Sequence, residues 1–483
     1  MRWAKRFIVL KTVASDHMIN TAILRKTPIE SWTLKKIGVD GDDLSTEKIR
    51  QYQLRKLREV IRWVCLYSPF YRTLFQGLAQ RKVACLADLS NYPFTTDQDI
   101  KKNALQFLCV SQNKISRVVS LSTSGTTGEV KRLYFTPADQ ELTIDFFRQG
   151  MSTLVNNGDR VLLLLPGERT GSVGDLLATA LTRLGAVPIP HGIVADIGTT
   201  LKVIAREKVD SLVGIPTQIL ALGRYADSVI KESFRLKSVL LSTDYVSQAI
   251  VRELRRIFSC EVFEHYGMTE MGLGGGIDCA AHQGYHLREA DLYFEIIDPL
   301  TGAVLPEGQE GEVVFTTLTR QAMPLIRYRT GDISRFFPEQ CCCGTILKRL
   351  DRIARRRDGR IFISENCFFT IADLDEALFV LAEIMHFTAS VDNVRQAARL
   401  VISVSTAGLP SDAAKVKIYQ ALDTIPAIHW ARSTGKLMIL VDMMPWEDIF
   451  SARTAKRVIM ELNKTNGSTN DIFDKAWENS NGR

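Results

Sequence analysis

Residues 121–132 constrain this chain more than any other segment, because they combine hydroxyl groups, glycines and two cations in one loop. Small residues let a backbone close around an anion, so that its N–H groups point at phosphate oxygens. The apolar run at residues 118–121 predicts a β-strand that leads into this loop. The chain is therefore predicted to bind a phosphate group at the end of a strand. The alternative interpretation is a polar turn without a ligand.

The composition is that of a large globular protein. The 483 residues are enough for two or more domains, and 46% hydrophobic with 24% charged residues is ordinary for a soluble chain. The net charge of +7 is small for this length and predicts no nucleic-acid partner. No apolar stretch reaches the ~20 residues that a membrane helix needs, and the short apolar run after the basic N-terminus is too interrupted for a secretory signal.

Strand-like and helix-like segments alternate between residues 161 and 258, and the strands are continuously apolar. This pattern predicts an α/β fold with a mostly parallel sheet that helices cover on both faces. Residues 292–298 and 311–316 instead look like antiparallel strands and predict a small β-rich subdomain. Ligands of such parallel sheets bind beyond the carboxyl ends of the strands, where the glycine-rich loop is expected.

Three motifs follow one another along the chain: Thr-Ser-Gly-Thr-Thr-Gly at 123–128 with Lys131, His-Tyr-Gly-Met-Thr-Glu at 265–270, and Arg-Tyr-Arg-Thr-Gly-Asp at 327–332. In this order they resemble the adenylate-forming (acyl-CoA synthetase/ligase) superfamily. The segments at 68–72 and 323–328, together with a Cys-x-Cys-Gly, resemble its phenylacetate-CoA ligase-like branch.

The resemblance implies an ATP-dependent reaction with Mg²⁺ and coenzyme A, and it assigns residues to each ligand. The β- and γ-phosphates would be bound by Thr123, Ser124, Gly125, Thr126, Thr127, Gly128 and Lys131. Glu270 would hold Mg²⁺, and Thr269 would contact the α-phosphate. Adenine and ribose would be bound by Ser242, Thr243, Asp244, Tyr266, Gly267, Met268, Asp332 and Arg355, with Tyr266 stacked on adenine and Asp332 on the ribose hydroxyls.

The same resemblance divides the chain into four parts. These are an N-terminal extension at 1–26, an adenylation domain at 27–353, a small mobile α+β domain at 354–465 and a polar tail at 466–483. Asp358 would be the hinge, although the two glycines of the family's motif are replaced here by Ala354 and Ser364. Lys436 would reach the α-phosphate during adenylation; a lysine in an ordinary surface turn is the alternative.

Nine cysteines, three of them consecutive, are typical of metal or catalytic chemistry in a reducing compartment, so we expect a cytoplasmic protein. Cys279, His286, Cys341 and Cys343 supply the four N/S ligands that a structural zinc ion takes, with His282 as the alternative nitrogen ligand. Relatives in this branch often carry both the cysteine–histidine pair and the Cys-x-Cys motif. Free thiols in a loop are the other interpretation.

The leading hypothesis is an ATP-dependent carboxylate–CoA ligase that activates an aryl or arylalkyl acid as its acyl-adenylate and acts alone or as a homodimer. The acyl pocket is expected near Tyr134, Gly214, Ile215, His265 and residues 272–275. In a second hypothesis the enzyme passes the acyl group to a carrier protein or an amine. A third is a nucleotide-binding scaffold without turnover.

Overall fold

The computed structural model describes residues 25–39, 44–78, 82–121, 130–230, 234–357, 359–364, 367–393, 397–406, 412–444 and 457–462. Several predicted residues lie outside these ranges: the phosphate-loop residues 123–128, the hinge residue Asp358, the polar tail 466–483 and almost all of the N-terminal extension. None of the described helices is long and apolar enough to cross a membrane.

The described chain begins with helices that carry their own capping residues. They are α1 (Pro28–Ile37), α2 (Thr46–Tyr67), α3 (Pro69–Leu74) and α4 (Asp97–Asn103). The Ser45 hydroxyl accepts a hydrogen bond from the Lys48 amide at 3.3 Å, which satisfies one free donor at the start of α2. Helix α2 ends before Ser68 because a residue that precedes proline avoids the helical conformation.

An eight-stranded sheet forms the centre of the large domain, in the order β13-β9-β8-β7-β6-β5-β3-β4. Its strands are β3 (Arg160–Leu164), β4 (Val187–Pro190), β5 (Ser211–Gly214), β6 (Ser238–Leu241), β7 (Glu261–Tyr266), β8 (Gly276–Ile277), β9 (Tyr285–Leu287) and β13 (Arg349–Leu350). Strands β3 to β7 pair in parallel, whereas β8, β9 and β13 add antiparallel pairs. The predicted mostly parallel sheet is confirmed.

Helices cover both faces of this sheet, as predicted. They are α5 (Pro137–Met151), α6 (Val173–Leu184), α7 (Ile197–Arg206), α8 (Pro216–Tyr225) and α9 (Gln248–Phe258). Along β3, Leu162 and Leu164 join one buried cluster and Val161 and Leu163 join another. Successive side chains of a strand point to opposite faces, so a strand covered on both sides must be apolar throughout.

Two antiparallel units flank the sheet. The hairpin of β1 (Arg117–Leu121) and β2 (Lys131–Phe135) pairs Leu121 with Lys131 and so places the two ends of the phosphate loop side by side. A four-stranded sheet contains β10 (Leu292–Ile297), β11 (Gly311–Thr317), β12 (Tyr328–Ser334) and β14 (Arg355–Arg356), which confirms the predicted β-rich subdomain. This sheet continues to Arg356, three residues past the predicted end of the adenylation domain at 353.

The C-terminal part is a second α+β layer. Strands β17 (Ile384–Asn393), β18 (Ala398–Thr406), β19 (Leu437–Met444) and β20 (Met460–Leu462) form its sheet, and the other elements are β15 (Ile361–Ser364), β16 (Cys367–Phe369), α10 (Ile371–Leu378), α11 (Asp412–Asp423) and α12 (Pro426–Ser433). Buried contacts connect it to α8, because the Arg224 guanidinium donates to the carbonyls of Phe379, at 2.7 Å, and Ile384.

Candidate active site

A polar pocket of about 740 Å³ lies between the turn after β7 and the four-stranded sheet. It brings together these residues of the three motifs and of the segment after β6: Lys131, Thr243, Gly267, Met268, Thr269, Glu270 and Asp332. These residues are far apart in sequence, and the fold collects them at the carboxyl end of the parallel strands. That is the place where α/β sheets bind ligands.

Lys131 lies between two carboxylates in this pocket. Its ammonium group contacts the side chains of both Asp97 and Glu270, and the Tyr328 hydroxyl donates to Glu270 Oε1 at 3.2 Å. Burial lowers the pKa of Lys131, but the two carboxylates outweigh burial and raise it above its usual value. Lys131 is therefore a cation at neutral pH. The two carboxylates beside it are of the kind that binds Mg²⁺ together with substrate phosphates.

Asp332 is fixed by neighbours on both of its oxygens. The Tyr266 hydroxyl donates to Oδ2 at 3.0 Å, and Arg356 Nε lies 3.2 Å from Oδ1. The Tyr266 ring is itself buried and stacks on Tyr285 with 5.8 Å between ring centroids. The Tyr266 hydroxyl therefore orients the Asp332 carboxylate. The stacking of Tyr266 on adenine stays a prediction.

The arginines next to Asp332 were not all anticipated. Arg355 turns to Glu310 at 2.5 Å, whereas Arg356 and Arg357 line the polar pocket. Adjacent residues of β14 point to opposite sides of the sheet. The pairing register with β12 therefore decides that Arg356, and not Arg355, faces the polar pocket. No motif in the sequence marks that register, nor does any mark Asp97.

An apolar cavity of about 430 Å³ adjoins the polar pocket, and the two share Leu121, Thr243, Gly267, Met268 and Thr269. Its walls include Phe146, Phe147, Met151, Leu165, Leu177, Val213, Leu240 and Ile277. Ser242 and His265 line it as well, and they approach each other at 3.2 Å between Oγ and Nδ1.

Asp244 lies outside both the apolar cavity and the polar pocket, and its carboxylate accepts a hydrogen bond from the Arg457 amide at 3.2 Å.

The expected acyl pocket was only partly right. His265 and Leu273 line the apolar cavity, but Tyr134, Gly214 and Ile215 do not, because they are buried in packed layers around it. A Cβ on Gly274 would lie 2.5 Å from the Phe146 ring. This glycine accommodates a neighbouring side chain and leaves no additional room for a ligand.

The predicted zinc ligands form one buried cluster. One ligand atom each of Cys279, His286, Cys341 and Cys343 lies within 4.8 Å of the others, with 3.8 Å between the sulfurs of Cys279 and Cys341. Zinc–sulfur bonds of ~2.3 Å in a tetrahedron place two sulfurs about 3.8 Å apart, so the spacing fits zinc. His282 is engaged elsewhere, by Asp278 at 2.7 Å and Glu261 at 2.8 Å.

Comparisons with known proteins agree with this geometry. A family model described as AMP-binding enzyme matches residues 86–319. Phenylacetate-coenzyme A ligase of Thermus thermophilus is 30% identical over 332 residues, which are 67% of this chain and 73% of that protein. The chain belongs to the adenylate-forming enzymes, in their phenylacetate-CoA ligase-like branch. It is an AMP-forming acid–CoA ligase by class.

Other relatives of this adenylate-forming enzyme support the same placement. Phenylacetate-coenzyme A ligase of Pseudomonas putida is 29% identical over 66% of this chain and 73% of its own length. Among solved structures, 2-hydroxyisobutyryl-CoA ligase in its postadenylation state matches with a TM-score of 0.73 and 19% identity, over 91% of this chain and 94% of that one. The match to 2-hydroxyisobutyryl-CoA ligase shows that the two chains share a fold.

Lys436 of this adenylate-forming enzyme lies in the turn between α12 and β19. Its ammonium group is exposed and sits 4.7 Å from the centre of the Trp430 ring. It does not line the polar pocket in this arrangement. Its role at the α-phosphate therefore stays a prediction, which would require the small domain to move.

Replacing Tyr266 with phenylalanine should weaken ATP binding without unfolding the enzyme. The change removes the hydrogen bond to Asp332, which contributes about 1.5 kcal/mol because its acceptor is charged. We expect the KM for ATP to rise roughly tenfold, with kcat little changed. The matched control is Tyr285→Phe, whose ring supports Tyr266 and whose hydroxyl bonds Glu264 instead. Equal effects of both changes would contradict the role assigned to Tyr266.

His265 should make the enzyme less stable in mild acid. Burial and the nearby Arg288 charge lower its pKa to about 4. The unfolded chain binds this proton below pH ~6.5 and the folded chain only below about 4, so stability decreases as the pH falls through that window. The loss reaches about 3 kcal/mol. Urea unfolding at pH 7.5 and pH 4.5 should show a smaller pH-dependent loss for His265→Phe than for the wild type.

Proposed function

We propose that this enzyme activates an aryl or arylalkyl carboxylic acid with ATP and then transfers the acyl group to coenzyme A. One observation carries the proposal: the apolar cavity opens into the polar pocket at Thr243 and residues 267–269. An acid whose body fills the cavity would place its carboxylate at this junction. ATP in the polar pocket would place its α-phosphate at the same point.

In the first half-reaction an acid oxygen attacks the α-phosphorus, and the bond to pyrophosphate breaks. Negative charge stays on phosphate oxygens throughout, so the protein contributes donors and cations to the transition state. Lys131 and the Thr269 hydroxyl would stabilise the phosphates, and Asp332 would orient the ribose. Glu270 and Asp97 would hold Mg²⁺, which neutralises phosphate charge when bound.

In the second half-reaction the thiol of coenzyme A attacks the acyl carbonyl, and AMP leaves with the electrons of the carbon–oxygen bond. The thiol proton is released to water, and the products are a thioester, AMP and that proton. Asp358 stays the proposed hinge for the movement of the small domain between the halves. The domain limits, a cytoplasmic location and a homodimer are likewise proposals.

We also propose that zinc holds the Cys279, His286, Cys341 and Cys343 cluster together. The donor set is buried, and three sulfurs with one nitrogen suit a structural zinc ion. The ion would connect β9 and the segment after β8 to the loop between β12 and β13. No step of adenylation needs it.

Pyrophosphate release tests the proposed function. The enzyme is given ATP, Mg²⁺ and one acid from a panel of aryl, arylalkyl and short aliphatic acids, with and without coenzyme A. Turnover that needs coenzyme A and yields a thioester would support the ligase. Release that ignores coenzyme A would favour an acyl carrier or an amine as acceptor, and no release with any acid would contradict the proposal.

Lys436→Ala separates the two half-reactions. If Lys436 reaches the α-phosphate, adenylation should fall about 100-fold because a positioned cation is lost from the transition state. Thioester formation from a chemically prepared acyl-adenylate should change little. Lys417→Ala is a suitable control, because Lys417 is an exposed lysine of the same small domain that pairs with Glu383. Equal losses in both half-reactions would remove the special role of Lys436.

A further inference from the structure

Three residues of the apolar cavity contain a buried polar atom without a hydrogen-bond partner in the described part of the chain. The atoms are Arg117 Nε, Ser172 Oγ and His265 Nε2. Buried polar groups in folded proteins are nearly always satisfied by protein, water or ligand. The remaining walls are largely apolar, so these groups mark where a ligand of this cavity presents polar atoms.

Arg117 differs from Arg224 and Arg320, two other arginines whose Nε lacks a hydrogen bond. Arg224 and Arg320 still use their terminal nitrogens, which donate to the carbonyls of Phe379 at 2.7 Å and Glu270 at 2.8 Å. No nitrogen of Arg117 makes a hydrogen bond or ion pair with a described residue. No described residue therefore matches its charge at the cavity wall.

Strand β1 separates the backbone of Arg117 from Leu121, the β1 residue that lies where the cavity meets the polar pocket. Arg117, Val119 and Leu121 alternate along the strand and all line the cavity, so they share one face. Leu121 also lines the polar pocket, but Arg117 does not. Four residue steps of ~3.3 Å separate the two Cα atoms by about 13 Å.

Ser172 belongs to the same end as Arg117, which we call the far corner. The Cδ atom of Arg117 lies 3.3 Å from the position that a Cβ of Gly171 would take, and Ser172 is the next residue. The Ser172 hydroxyl precedes α6 and makes no capping hydrogen bond. The far corner thus offers a guanidinium and a hydroxyl that lack partners among the described residues, with apolar walls between it and the junction.

We infer that the acid activated by this enzyme carries a second anionic group, remote from the reacting carboxylate, which Arg117 and Ser172 bind in the far corner. This inference rests on the proposed function and specifies its substrate class as aryl or arylalkyl dicarboxylates. The guanidinium fork matches a carboxylate with two parallel hydrogen bonds. One carboxylate reacts at the junction, and the other stays ionised and unchanged.

The test compares diacids with acids of similar shape that lack the second charge. The diacids are 1,4-phenylenediacetic acid and 4-(carboxymethyl)benzoic acid, and the monoacids are 4-ethylphenylacetic acid and 4-methylphenylacetic acid. Pyrophosphate release gives kcat/KM for each acid with the wild type, Arg117→Met, Arg117→Lys and Ser172→Ala. Arg148→Met is the matched control, because Arg148 is a surface arginine of α5 that does not line the cavity.

We expect the wild type to prefer the diacid of each pair by about 100-fold, since a site with polar donors rejects an analogue that leaves them unpaired. Arg117→Met should abolish this preference by slowing only the diacids, and Arg117→Lys should retain part of it. Arg148→Met should behave like the wild type. Equal use of diacids and monoacids by the wild type would overturn the inference, and the proposed function would stand.

Two further outcomes are decisive. A higher KM for coenzyme A in Arg117→Met, with unchanged acid preference, would assign the far corner to coenzyme A and overturn the inference. If no acid supports pyrophosphate release, the proposed function fails, and calorimetric titration of the diacids alone decides the inference. Diacid binding that Arg117→Met abolishes and Arg148→Met retains would support it, and absence of binding would overturn it.

Discussion

Glu270→Gln is expected to lower acid-dependent pyrophosphate release by about 100-fold or more, because the change removes the carboxylate that we propose to hold Mg²⁺ beside the substrate phosphates. Glutamine keeps the size of the side chain and can still accept from the Tyr328 hydroxyl, which now lies 3.2 Å from Glu270 Oε1. The Arg320 guanidinium bonds the Glu270 backbone carbonyl at 2.8 Å, and the substitution leaves that bond intact. The fold should therefore survive.

Two measurements isolate this effect from a general loss of structure. Thermal unfolding of Glu270→Gln should stay close to the wild type, and raising the Mg²⁺ concentration should restore part of the activity. Glu141→Gln is the matched control, because Glu141 forms an exposed ion pair with Arg183 and surface pairs contribute little. Near wild-type activity of Glu270→Gln at ordinary Mg²⁺ concentrations would show that Glu270 does not hold the metal.

Cys341→Ser should produce the largest change in stability. Loss of one thiolate from a four-ligand zinc site releases the ion, and binding at 1,000 times the dissociation constant stabilises a fold by about 4 kcal/mol. We expect a fall in Tm of about 10 °C. Metal analysis of the purified protein should give close to one zinc per wild-type chain and far less in the variant.

The neighbouring cysteine provides the control. Cys342 is exposed, whereas Cys341 and Cys343 are buried with their sulfurs in the cluster. Cys342→Ser should keep both the zinc content and the Tm of the wild type. If Cys341→Ser also retained them, the cluster would be a group of free thiols. If His282→Ala lost zinc and His286→Ala did not, the nitrogen ligand would be His282 and the assignment of His286 would be wrong.

Agreement between sequence and structure is best where a local pattern has one physical solution. The alternation of strand-like and helix-like segments predicts a helix over residues 248–258, and α9 spans Gln248–Phe258. Ser247 caps it, since its hydroxyl accepts from the Ile250 amide at 3.2 Å. Four strands of the central sheet, predicted at 161–165, 186–189, 210–214 and 238–242, are found within one residue of these bounds, because continuous apolar runs must be buried on both faces.

The motifs also identified the candidate site, since Lys131, Thr269, Glu270 and Asp332 meet in one pocket. Sequence reasoning failed where a side chain's neighbour comes from a distant segment. Asp97 approaches Lys131 from a helix of the N-terminal part, and no local pattern connects them. The expected acyl pocket was partly right for the same reason: His265 lines the apolar cavity, but Gly214 does not, because the Leu164 side chain packs against it.

The sequence by itself determined the family and the fold class, and it predicted the residues proposed for the phosphate, nucleotide and metal sites, because these inferences depend on periodicity and on short motifs. Tertiary structure alone decided which side chains face one another. It selected His286 over His282 at the metal cluster and Arg356 over Arg355 beside Asp332. It also placed Arg117 at the wall of the apolar cavity without a partner among the residues that the structure describes. Such choices depend on strand register and packing between distant segments, and a linear pattern does not encode them locally.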